Sequence, residues 1–119
     1  MQESTRAYLA TALWSSLDEN GEPLDSQYNV WNVSEHTVKQ SVIDIQGFLE
    51  LCNHRDIRWW EDIHDLNRLL HYFWLTRNGH GAGFWDESWS IWGNKLTEIA
   101  HMFPEVDLYV GDDGEIYHI

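Results

Sequence analysis

Little in this sequence could cross-link it, anchor it in a membrane or give it a basic surface. It holds a single cysteine, Cys52, so no intramolecular disulfide can form and a zinc site of the CxxC type is excluded. Seven Lys and Arg stand against 20 Asp and Glu, a net charge of −13, which opposes contact with nucleic acid or an anionic membrane through a basic surface. No apolar run approaches the ~20 residues of a membrane helix, and MQESTRAYLATALW lacks the apolar stretch of a signal peptide. The expectation is a chain kept in a reducing cytoplasm, without cofactor or metal.

Core material is plentiful. Hydrophobic residues make up 43% of 119, with eight Trp among them, and a chain of this length buries roughly two thirds of its unfolded surface. One domain spanning 1–119 is expected, and disorder is not.

Periodicity then divides the chain. Ser4 to Leu17 reads as a helix with Ser4 as N-cap and Ala10, Leu13, Trp14 and Leu17 on its core face. DENGEPLD, Asp18 to Asp25, is a solvated turn, followed by an extended stretch from Tyr28 to Val33. Ser34 caps a second helix with a stripe of Val38, Val42, Ile45, Leu49 and Cys52, and Val33 and Val38 occupy the positions of a hydrophobic staple. Gly47 costs that helix about 1 kcal/mol. Trp59, Ile63, Leu66, Leu70 and Phe73, at spacings of 4, 3, 4 and 3, predict a third helix from about Arg58 to His71.

After it, YFWLTR and AGFW flank Asn78-Gly79-His80-Gly81, the local signature of a hairpin. Ser88 or Ser90 then caps a fourth helix carrying Trp92, Leu96, Ile99 and Phe103, stopped by Pro104. VDLYVGDDGEIYHI reads as a second hairpin turning at Asp113-Gly114. The fold class predicted is α+β, with about four helices and two hairpins forming a small antiparallel sheet of up to four strands.

FWLTRNGHGAGFWD, LTEIAHMF and VDLYVGDDGEIY, together covering most of the last 45 residues, resemble a family of small tailed-bacteriophage proteins. ALWSS with the acidic DENGEPLD turn is similar to the same family, whereas the two middle helices are generic. The resemblance implies phage origin and expression inside an infected bacterium, in the host cytoplasm; it implies no activity and no site residue.

Four groups of residues bear on function. The first is RNGHGAG, in which Arg77, Asn78, Gly79, His80, Gly81 and Gly83 suit either a tight turn or an anion-binding nest. Its spacing matches neither GxGxxG nor GxxxxGK[ST]. The second is Glu61, His64, Asp65 and His71, which could share a helix face as metal ligands, although Arg68 would sit among them. The third is Cys52, expected as an inert core thiol.

The fourth is the surplus of acid and Trp. Asp18, Glu19, Glu22 and Asp25 form one run without a base, and Glu105, Asp107, Asp112, Asp113 and Glu115 a second. Trp60 and Trp89, beside other Trp residues, are candidates for exposed interface anchors. The reading is a non-enzymatic accessory protein that binds a basic host or phage protein through an acidic, aromatic surface, as a DNA-mimic-like inhibitor of a host defence or nucleic-acid-processing machine. The alternative is a small metal- or phosphate-dependent enzyme centred on RNGHGAG. No catalytic residue is assigned.

Overall fold

The computed structural model describes residues 1–80, 83–84 and 92–119. They form four α-helices and one two-stranded antiparallel sheet: α1 Glu3–Ser15, α2 Glu35–His54, α3 Leu66–Arg77, α4 Gly93–Ala100, β1 Leu108–Val110 and β2 Ile116–His118. The class is α+β, as expected. Ser88, Ser90 and two residues of AGFW, Ala82 and Trp85, fall outside the described residues.

α1 packs along α3 with a face turned from the expected one. Thr5, Tyr8, Leu9, Ala12 and Leu13 are buried, while Trp14 is 53% and Leu17 61% exposed. Gln2 rather than Ser4 holds the N-cap position. Of the predicted face only Leu13 is buried: Ala10 and Trp14 are exposed, Leu17 lies beyond the helix end in a bridge to Pro23, and Tyr8 and Leu9 fill the core from the adjacent side.

Ser34 caps α2 as predicted, accepting the Thr37 N–H at 3.2 Å. The buried line is Thr37, Ser41, Ile45, Phe48 and Cys52, so Val38 and Leu49 pack at its margin. A hydroxyl-bearing stripe is invisible to hydrophobic spacing. Here both hydroxyls are satisfied locally, Ser41 by the Thr37 carbonyl and Thr37 by Ser34 and the C-terminal strand.

The third helix starts and ends later than predicted. Trp59–Glu61 is a short 3-10 turn, and Asp65 caps α3 by accepting the Asn67 N–H at 2.9 Å. Ile63 is buried from this irregular segment, which explains how it joined a helical spacing without being helical. YFWLTR, expected as a strand, is the second half of α3: Leu69, Leu70, Phe73, Trp74 and Arg77 recur on its buried side. Phe73 stacks on Phe48 at 4.1 Å and meets Phe103 edge-on at 5.1 Å.

No hairpin forms at Asn78-Gly79. Gly79, at φ +67°, ends α3: its N–H reaches the Thr76 carbonyl and the His80 N–H reaches Leu75. These are the two bonds of a Schellman motif. A helix C-terminus and a type I′ turn both need a positive φ, so Asn-Gly could not distinguish them. α2 ends the same way, with Asp56 at φ +55° and the Ile57 N–H bonded to Cys52.

The C-terminal hairpin is present, with Leu108 opposite His118, Tyr109 opposite Tyr117 and Val110 opposite Ile116. Gly111 and Glu115 close it, with Gly114 at φ +82°. Among the described residues the sheet has two strands, not four. The stretch expected to be extended before α2 contains a 3-10 turn, Val30–Asn32, before Val33 bridges Ile116.

The two helix ends give a paired test. Gly79→Ala forces an L-residue into the left-handed region and should cost about 1–2 kcal/mol, whereas Asp56→Gly should cost nothing or stabilise. Equal denaturation midpoints for Gly79→Ala and wild type would contradict this capping role.

Candidate functional site

RNGHGAG proves to be a structural latch over its described part. The Arg77 side chain is 1% exposed and its Nη1 sits 2.8 Å from Asp44 Oδ2. Nη1 also donates to Tyr8 Oη at 3.0 Å, and Nε and Nη2 donate to the Pro104 carbonyl at 3.1 and 2.8 Å. The guanidinium lies over the rings of Phe73 and Phe103. Asn78 Oδ1 accepts the Val106 N–H at 2.7 Å, and Thr76 Oγ1 accepts that of Phe84. Burial pushes the Tyr8 hydroxyl up to about 12 against the opposing effect of Arg77, so it stays a neutral partner. Arg77 is thus unavailable to a phosphate. Gly83 is buried, and Gly81 is outside the described residues.

His80 is half-buried and lines a depression with Glu105 and Asp107. That depression is one of three that adjoin. It shares Leu17 and Leu108 with a groove of about 490 Å³ that runs past Asp18 and Glu19. The groove shares Tyr109 and Val110 with a third depression, at Asp112, Asp113 and Tyr117. Asp18 and Glu19 of the first acid run and Glu105, Asp107, Asp112 and Asp113 of the second therefore line adjoining depressions, while Glu22, Asp25 and Glu115 do not. Six carboxylates line these depressions, and among the described residues no Lys or Arg does.

Local chemistry fixes each acidic segment. Asp18 Oδ1 accepts the N–H groups of Asn20 and Glu22, and Leu24, 2% exposed, nails the loop to the core. Asp113 accepts a short hydrogen bond from the Tyr117 hydroxyl and the Glu115 N–H at 2.9 Å. The Tyr117 bond, followed by that backbone bond, holds the Asp113 carboxyl below the usual carboxylate range, and pushes the Tyr117 hydroxyl up to about 12. Glu22 and Glu115 belong to these turns; Asp25 is exposed in the following 3-10 turn. Glu19, Glu105, Asp107 and Asp112 are exposed and make no side-chain bond among the described residues.

The other candidates separate. Trp60 is 50% exposed, whereas Trp89 lies outside the described residues. Trp31, 67% exposed, is a ring that spacing did not single out, and Trp14, which spacing placed on a core face, is exposed as well. Trp31 sits on a 3-10 turn whose Asn29–Asn32 capping box was the available signal. Glu61, His64 and Asp65 precede α3 and do not share a helix face with His71. Among the described residues, no three His, Cys, Asp or Glu side chains are placed to hold a metal. His71 instead meets Thr11 Oγ1 at 2.7 Å and stacks on Trp14. Burial, then the Arg68 charge, lowers its pKa.

No protein-family model, curated protein or solved structure matches the chain.

Two predictions follow from the buried groups. Arg77→Met leaves Asp44 without its charge partner and should cost about 3–5 kcal/mol, read as a shift in denaturation midpoint; a loss below 1 kcal/mol would refute the latch. Cys52 is fully buried, and desolvation pushes its thiol up to about 12. Between pH 9 and 12 an unfolded chain carries the thiolate and the native chain the thiol, so this group's contribution to stability falls as pH rises through that window. A disulfide reagent at pH 8 should label Cys52 only at the rate of unfolding.

Proposed function

We propose that this chain is a non-enzymatic binding protein that engages a basic protein surface through the acidic face built by the 17–22 loop, the 105–107 segment and the C-terminal hairpin. The observation that carries the reading is that six carboxylates drawn from two base-free acid runs line adjoining depressions, two of which share Tyr109, 45% exposed. Unpaired carboxylates there keep their field for a partner, since Arg77 is consumed by Asp44 while Lys39 and Arg58 pair with Glu35 and Glu61.

Charge density sets what the face can do. A net −13 over 6942 Å² averages one charge per about 530 Å², against roughly 100 Å² on duplex DNA taken as a cylinder of ~10 Å radius. Only a clustered face competes with DNA for a protein, and this cluster is the basis for reading the chain as a DNA-mimic-like inhibitor. The resemblance to tailed-phage proteins supplies the setting: a host bacterial cytoplasm, with a host defence or nucleic-acid-processing protein as target. The enzyme alternative lacks an accessible cation in RNGHGAG, because Arg77 is enclosed.

The test uses the four carboxylates that have no structural duty. Changing Glu19, Glu105, Asp107 and Asp112 to Lys should preserve the fold but slow association with a partner recovered from bacterial lysate by tenfold or more at low salt. Wild-type association should slow as salt rises, because steering is screened beyond ~8 Å at physiological ionic strength. Glu50→Lys with Glu98→Lys, away from the face, should change little. Association that is flat with salt and indifferent to the four reversals rejects the electrostatic reading.

A further inference from the structure

The hairpin pairs unevenly with its surroundings. Ile119 N–H reaches the Asp107 carbonyl and Gly111 N–H reaches Glu115, so the odd-numbered residues of β1 bond to β2 and the even-numbered ones face away from it. On β2 outward groups are taken, two of the four. The Ile116 carbonyl accepts the Ser34 N–H at 2.8 Å, and His118 N–H donates to Thr37 Oγ1. On β1 they are not: among the described residues nothing bonds the N–H or C=O of Leu108 or Val110. The groove of about 490 Å³ runs here, lined by all three residues of β1 and none of β2, with Asp18 and Glu19 also in its wall.

We propose that this groove captures an extended, lysine- or arginine-bearing segment of a partner protein, which adds to β1 as a third strand. The proposal rests on the acidic-face reading and names the partner's chemistry. Leu108 and Val110 would exchange four backbone hydrogen bonds with the guest, a recognition mode in which main-chain bonding gives affinity and alternate side chains give specificity. Guest residues opposite Leu108 and Val110 share their inward-facing side of the sheet and suit apolar side chains. The residue between them lies opposite Tyr109, on the outward side with Asp107, and suits a cation, held by the Tyr109 ring and the surrounding carboxylates. A second copy is the poorer occupant: pairing β1 with itself would bring the Asp107 and Asp112–Asp113 ends of two acidic strands together, like charge against like.

The probe is a nine-residue peptide alternating Val and Lys, titrated into the full chain. In the antiparallel pairing proposed for the guest, its Val nitrogens face β1 and its Lys nitrogens face solvent. N-methylation of two central Val residues should weaken binding at least tenfold, and of two central Lys residues less than threefold. Exchange of the Leu108 and Val110 amides should slow at least tenfold on binding. Val110→Pro removes only an N–H that faces the guest, a substitution an edge strand tolerates, and should weaken binding as Val methylation does. Salt-sensitive binding with equal effects of the two methylations and no amide protection would overturn strand addition and leave the acidic-face reading standing. Absence of peptide binding would also overturn it. Binding that survives both high salt and the four carboxylate reversals, yet keeps the methylation pattern, would remove the acidic-face reading and the requirement for a cation.

Discussion

The ion pair between Arg77 and Asp44 is the constraint on which this architecture turns. Arg77 ends α3, Asp44 lies mid-way along α2, Tyr8 belongs to α1, and Pro104 follows α4. One guanidinium therefore registers four helices. A planar fork suits this better than an ammonium, because two of its nitrogens converge on a single carbonyl while the third reaches a carboxylate and a phenol. Burying that charge without all of its partners would cost several kcal/mol, so the arrangement has little freedom to shift. Asp44 is itself steadied by Gln40, whose amide donates at 2.9 Å.

That registration passes directly to the acidic face. Arg77 holds the Pro104 carbonyl and Asn78 holds the Val106 N–H, which fixes the segment carrying Glu105 and Asp107 and the approach to β1. From the other side, Ser34 and Thr37 at the start of α2 hold β2. The hairpin is clamped at its entry and along β2, and the clamp leaves β1 as the free edge. Core geometry thus decides which strand faces the groove.

How much of this was legible in the sequence depended on whether a signal had one physical meaning. Ser34 could only be an N-cap in front of an apolar run, and the hairpin at Asp113-Gly114 is a local event; both appear where the sequence puts them. Asn78-Gly79 had two meanings, and tertiary packing of Phe73, Trp74 and Leu75 chose the helix end over the turn. The role of Arg77 was hidden for another reason. An Arg beside glycines suggests an anion, and its true partners lie 33, 69 and 27 residues away, where spacing has nothing to say. The acidic runs were plain from composition, but which of their carboxylates line adjoining depressions depends on the latch, so it could be posed as a question and not answered.

The distribution of charge follows from the scarcity of bases. With only seven Lys and Arg, each base placed in a structural pair is one fewer to neutralise the surface. Arg77 is committed to the core, Lys39 and Arg58 to helix-turn pairs, and Arg58 and Lys95 lie over the Trp92 ring. Acids on the loop and hairpin consequently repel one another without local compensation, at some cost to the compact state. Their turns tolerate this because backbone N–H groups, not cations, stabilise Asp18 and Asp113. Hydrogen bonding to backbone lets a carboxylate stay ordered without a cation beside it, and that is what leaves the acids next to the open edge of β1 unneutralised.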